Sequence, residues 1–174
     1  MDSQPVVRED KPAYARGILI LELIILGILS IYYYDKMPER MATHFDAAGN
    51  PNGWSSRPSF FILFWSMNAF MMLIFLLLPK LLKKMPVSLI NLPNKDYWFT
   101  PERKDRAFNM MEEYMAWLGV GVMGLFIAIF QMTFQANLTP DHKLGSGTWL
   151  LLGLFMTYMT FWVVLFIRAF MRKI

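Results

Sequence analysis

Four apolar runs, at residues 17–34, 59–78, 115–136 and 148–170, alternate with polar connections along the chain. Each has roughly the 20 residues that an α-helix needs to cross the hydrocarbon core of a bilayer. The pattern predicts four membrane-spanning helices. The connections carry the turn signals. Gly49-Asn50-Pro51-Asn52-Gly53 is a dense one, because proline presets one dihedral and glycine accepts positive φ. Pro38 suits the first turn of a helix, which predicts a short one over residues 39–43. In the second connection, Thr100-Pro101-Glu102 reads as a helix start: a hydroxyl cap, a proline, then an acid at the positive end of the dipole. The helix it opens puts Phe108, Met111 and Met115 on one face and Arg103, Asp105, Arg106 and Glu113 on the others. That amphipathic segment is expected to lie partly in the interface before the third span. Residues 1–15, with Pro5, Pro12 and several charges, are expected to be poorly ordered without a partner.

Charge orients this pattern. Arg8, Lys11 and Arg16 precede the first run; Lys80, Lys83, Lys84, Lys95, Arg103, Lys104 and Arg106 fill the second connection; Arg168, Arg172 and Lys173 close the chain. The first and third connections hold only Lys36, Arg40, Arg57 and Lys143. Basic residues beside membrane segments stay cytoplasmic, so both ends are expected inside, and His44 and His142 outside. The first run ends in Ile31-Tyr32-Tyr33-Tyr34 rather than in the small residues of a cleavage site, which predicts an uncleaved anchor. Those tyrosines and Trp54 suit the headgroup zone. Composition agrees, at 56% hydrophobic and 17% charged. The net charge of +4 argues for anionic lipid rather than nucleic acid, because the excess sits beside the spans. Without cysteine, packing and hydrogen bonds must hold the outer loops. The expected fold class is an all-α integral membrane four-helix bundle, one domain over residues 1–174, with an ordered extracytoplasmic loop and an amphipathic cytoplasmic helix.

The first connection also carries a family resemblance. Its elements are Met37-Pro38, His44-Phe45, Gly49, Pro51-Asn52-Gly53-Trp54 and Arg57. Together they resemble a bacterial membrane-domain family of uncharacterised function, which also forms the amino-terminal part of SdpI-type immunity proteins. Asn91-Leu92-Pro93-Asn94-Lys95-Asp96-Tyr97-Trp98 is similar to an inner segment of many members. The chain departs from the pattern at Arg57, where lysine is usual, and at Asn52, where aspartate is common. It also has fewer predicted spans than SdpI-type proteins. The resemblance implies a membrane protein, sometimes linked to toxin immunity and signalling, and no enzyme mechanism.

Candidate residues follow. His44 and Asp46 are expected to hold the outer loop by hydrogen bonds, and Gly49 and Gly53 to permit its turns. Phe45 and Trp54 would anchor it at the interface, and Arg57 would meet phosphate or carboxylate. Glu22 is the acid inside a span, about 8 Å from its inner end. Arg168 lies at similar depth, which predicts an intramembrane Glu22–Arg168 ion pair. Ser66, Asn68, Gln131, Thr133, Gln135, Thr157 and Thr160 are expected to make interhelical hydrogen bonds, and Gly119, Gly121 and Gly124 to allow close helix contact. Zinc held by His44, Asp46, Asp141 and His142 finds no support in spacing. Copper(I) on Met37, Met41 and His44 would need the short helix, and methionines there serve equally as apolar filler. No cofactor is expected. Nor is there a GxSxG, a phosphate-cradling loop, a cysteine nucleophile or a carboxylate pair, so an enzyme is not expected. The residues favour a multi-pass protein of the bacterial cytoplasmic membrane with a binding or accessory-subunit role beside a membrane-protein partner. SdpI-like immunity or sensing is the first alternative, and a small metal or solute transporter the second.

Overall fold

The computed structural model describes residues 13–172. The amino-terminal tail read above as poorly ordered lies outside them, apart from its last residues. The chain runs α1 (Ala13–Tyr34), β1 (Arg40–Phe45), β2 (Pro51–Ser56), α2 (Arg57–Leu82), α3 (Lys95–Trp98), α4 (Lys104–Asn137) and α5 (Gly147–Met171), with a single 3₁₀ turn at Val87–Leu89. Helices α1, α2, α4 and α5 are long and apolar enough to cross a membrane. The protein is an all-α membrane bundle bearing one small antiparallel ribbon, β1 against β2.

Two local expectations are corrected. Residues 39–43 form no helix: Arg40–Phe45 is the strand β1. The Pro38 signal is local, and it loses to pairing across the hairpin and to a side chain of α4 described below. Thr100-Pro101-Glu102 is a turn rather than the first helical residues. The Thr100 carbonyl accepts both Arg103 N–H and Lys104 N–H, and α4 begins at Lys104. From there one unbroken helix of 34 residues joins the amphipathic segment to the third span.

Helix α4 is the hub, and three glycines set its spacing. A Cβ on Gly119 would lie 2.8 Å from the Phe75 ring of α2, one on Gly121 would overlap the Tyr158 ring of α5, and one on Gly124 would touch Glu22 of α1. Each glycine faces a different helix, so the close contacts expected of them fall within the chain. Helix α5 packs chiefly on α4 and buries only Phe170. The polar residues of the spans mostly bond backward along their own helix: Ser66 to Ile62, Asn68 to Phe64, Thr133 to Ile129, Thr157 to Gly153 and Thr160 to Met156, each hydroxyl or amide donating to a carbonyl. The expected interhelical bonds come from Gln131 and Gln135, whose amides both donate to the Tyr33 phenol oxygen of α1, at 2.7 and 2.9 Å.

Glu22 and Arg168 do not pair. Glu22 is buried against Gly124 and close to Tyr158, and its Oε2 has no hydrogen-bond partner. The carboxylate that does pair is Glu112 of α4, which takes Arg16 of α1 and Lys83, just past α2, at 3.0 Å. Sequence depth alone misjudged the partner, because Arg168 lies exposed on the peripheral helix.

At that same end, the segment 91–98 serves the chain itself. Asn94, at φ +51°, donates from Nδ2 to the Phe170 and Met171 carbonyls, and Trp98 Nε1 donates to Phe170 O at 2.7 Å. The last carbonyls of a helix lack intrahelical donors, so these bonds cap α5.

Candidate functional site

The distinctive residues of the first connection build a cap on the opposite end of the bundle. Its turn is organised by Asp46. The Asp46 carboxylate accepts Ala48 N–H at 2.9 Å, Asn50 N–H at 2.8 Å and Asn50 Nδ2 at 3.1 Å, and those amides hold it below its ordinary value of 3.8. The backbone closes around it, Asp46 N–H to Asn50 O and Gly49 N–H to Asp46 O, both at 2.9 Å. Gly49 sits at φ +81°, which other residues rarely adopt, and a Cβ there would lie 2.5 Å from the Leu144 carbonyl oxygen. Gly49 O in turn accepts Leu144 N–H, so the third connection is laced to the hairpin turn.

The cap is fixed to the bundle by a residue outside the predicted runs. Asn137, the last residue of α4, is buried and lies against Ala42 of β1. Its Oδ1 accepts Ala42 N–H at 2.8 Å, and its Nδ2 donates to Ala42 O and Thr133 O, each at 2.9 Å. One side-chain amide thus satisfies both polar groups of a buried strand residue, standing in for a third strand one residue wide. Beneath it, Met37 and Met41 are buried in an aromatic cluster with Phe60, Phe61, Phe64 and Phe134.

The other predicted residues divide. His44 is exposed, its imidazole forms no hydrogen bond among the described residues, and it covers Gly53, where a Cβ would lie 2.8 Å from its own. Its expected role as a hydrogen-bonded organiser is corrected, and so is that of Gly53, which accommodates the imidazole and not a positive φ. Trp54 is partly exposed; the His142 ring meets it edge-on at 5.3 Å and the Arg40 guanidinium lies 5.2 Å from its centre. Phe45 is half-buried and lines a groove of about 560 Å³ between the turn and the start of α5. Arg57 does not meet a carboxylate. Its guanidinium donates to the Tyr34 and Met37 carbonyls at 3.2 and 3.0 Å and stacks on the Tyr34 ring, placing a cation at the end of α1.

No group of three metal-ligating His, Asp or Glu occurs among the described residues. The copper ladder is not formed either: Met37, ahead of β1, and Met41, on it, are both buried, while His44 faces solvent. Sequence reading missed Asn137, Tyr33 and Glu112. The first lay one residue past an apolar run, and the i, i+4 spacing of Gln131 and Gln135 was the only signal near it.

Four apolar helices with a clamped polar cap define a membrane protein with an ordered loop domain. Residues 21–78, which span most of α1, the hairpin and most of α2, match the family model described as "Domain of unknown function (DUF1648)". The chain is also 29% identical over 141 residues to an uncharacterized protein of Archaeoglobus fulgidus, covering 71% of this chain and 74% of that one. Both are consistent with a membrane-domain family of uncharacterised function. No solved structure matches the chain.

Proposed function

We propose that the protein is a non-catalytic component of the bacterial cytoplasmic membrane whose cap is a contact surface for a membrane-protein partner. One observation carries the reading. The cap's polar groups Asp46, Asn137 and Arg57 are spent on its own backbone, while the side chains of Arg40 and Trp54, in contact with each other, and of His44 are exposed and make no hydrogen bond among the described residues. A rigid loop that presents a cation, an imidazole and an indole suits recognition, in which aromatic and basic groups contribute most. The test is affinity purification of the tagged protein from its native membrane in mild detergent. A stoichiometric membrane protein should co-purify and be lost from a His44→Ala, Trp54→Ala double variant that is still inserted and monodisperse. A lone species from the parent protein would overturn the proposal.

SdpI-like immunity or sensing is the second reading, supported by the family match over the hairpin and by the cap's exposure. It expects expression to protect cells from an external peptide, with protection lost in the same double variant. Unchanged toxin sensitivity would remove it. Among the described residues no cluster of metal ligands favours the transporter reading.

A further inference from the structure

A second site lies away from the cap, between α4 and α5, toward the end of the bundle where α1 begins and α5 ends. There, Tyr114 and Trp117 of α4 and Tyr158, Phe161 and Trp162 of α5 line a cleft of about 370 Å³. Glu113 is its charged lining residue, and no lysine, arginine or histidine lines it. Between α2 and α4 the aromatic rings fill their own space, as where Phe64 meets Phe130 at 3.9 Å between centres. Here rings of the same kind line a half-open cleft, with Phe161 and Leu165 exposed at its rim.

The walls are fixed from both helices. Trp162 Nε1 donates to Tyr114 O at 2.8 Å, Tyr114 Oη to Leu165 O at 3.2 Å, and Tyr158 Oη to Trp117 O. The polar tips are therefore occupied by backbone carbonyls, and the rings cannot swing to close the gap. Tyr114 and Trp162 stand nearly perpendicular, 78° apart with centres 6.3 Å from each other. Walls held this way before binding spare a ligand the ordering cost. Glu113 is exposed and makes no ion pair among the described residues.

The chemistry of the lining selects the occupant. Aromatic faces carry negative potential and attract cations, with cages of such rings suited to alkylated ammonium. A carboxylate beside them adds charge complementarity and repels anions. A bare divalent ion does not fit, because one carboxylate among rings cannot replace its oxygen ligands. We propose that this cleft binds an organic monocation with apolar substituents, an alkylated ammonium or its phosphonium analogue, with Glu113 as counter-charge. The site does not depend on the cap or on its partner, and its failure leaves that reading untouched.

Tetraphenylphosphonium and tetraphenylborate share a shape and differ in sign, so they are the probes. Isothermal titration of the full chain in neutral maltoside micelles should show saturable binding of the phosphonium, about one per chain, and none of the borate. Glu113→Gln should weaken it by about tenfold, and so should Trp117→Leu, which removes a partly exposed wall that makes no side-chain hydrogen bond. Both variants must elute and melt as the parent does. Equal uptake of both ions, non-saturable uptake of the phosphonium, or full affinity in Glu113→Gln would overturn the proposal. Nanodiscs then identify the source. Weaker phosphonium binding in phosphatidylcholine than in phosphatidylglycerol, beyond the surface-charge difference measured on empty discs, makes a lipid headgroup the resident. Equal affinity after that correction makes it a free cation.

Discussion

Replacing Asn137 with alanine removes one amide and strands two backbone groups, the N–H and C=O of Ala42, in a setting where Ala42 is fully buried. The third partner, Thr133 O, keeps its helical donor and is not orphaned. Each unsatisfied buried group costs about 1–3 kcal/mol, so the hairpin should lose about 2–6 kcal/mol of its attachment, with the lower figure applying if water enters beside β1. Since 1.4 kcal/mol is tenfold, local opening of β1 should become roughly 30- to 20,000-fold more frequent. Amide hydrogen exchange in detergent micelles reads this directly across residues 40–56. Protection should collapse there while Leu26 and Met123, deep in α1 and α4, remain protected. Asn137→Asp should be no better than alanine. It keeps an acceptor for Ala42 N–H but turns a carboxylate toward two carbonyls. If exchange at Ala42 in Asn137→Ala stays within about threefold of the parent, the amide is not what holds the strand, and the reasoning fails.

Four further outcomes follow from the same contacts. Gly121→Ala should separate α5 from α4 and lower the thermal midpoint, whereas Gly153→Ala, with nothing within 4 Å of its Cβ, should be neutral or stabilising by up to about 1 kcal/mol; equal effects would refute the close-approach argument. Arg57→Lys should cost about 1–2 kcal/mol in thermal unfolding, because an ammonium cannot span two carbonyls and stack on Tyr34 together. Glu22→Gln should be neutral or stabilising and Arg168→Ala should fall short of the roughly 3 kcal/mol that breaking a buried ion pair costs, since no such pair exists. Asp46 titrates below its ordinary 3.8 in the folded turn, so its contribution is present above that value and lost as pH falls through the lowered one. The Asn50 amide resonance should follow that transition, and Asp46→Asn should abolish it.

The helices were legible because a span is a local property: length and apolarity decide it, and the runs lie inside the helices that formed. The turn was legible only in part: it closes over residues 46–50, while Pro51-Asn52-Gly53, read as its continuation, open the strand β2 because they pair across the hairpin. What failed was long-range. Pro38 announces a helix, yet Ala42 meets Asn137 across 95 positions, and that encounter makes a strand. Arg57 looked like a free cation, because the carbonyls it serves are exposed only when α1 ends beside it. Glu22 and Arg168 matched in depth, but depth says nothing of which helices touch, and nothing local marked Glu112 as the carboxylate that pairs.

The clamp on β1 also bears on how the protein is made. The matched segment 21–78 contains the hairpin but not the residue that holds it, nor Phe130 and Phe134, which complete the aromatic cluster under it. When the ribosome has delivered α1, the hairpin and α2, Ala42 therefore has no amide to meet, and the ribbon is a two-stranded piece of marginal stability. It waits through the whole second connection until the far end of α4 arrives. A nascent chain halted before Asn137 carries an open hairpin that other proteins can still grasp, and completing α4 closes that interval.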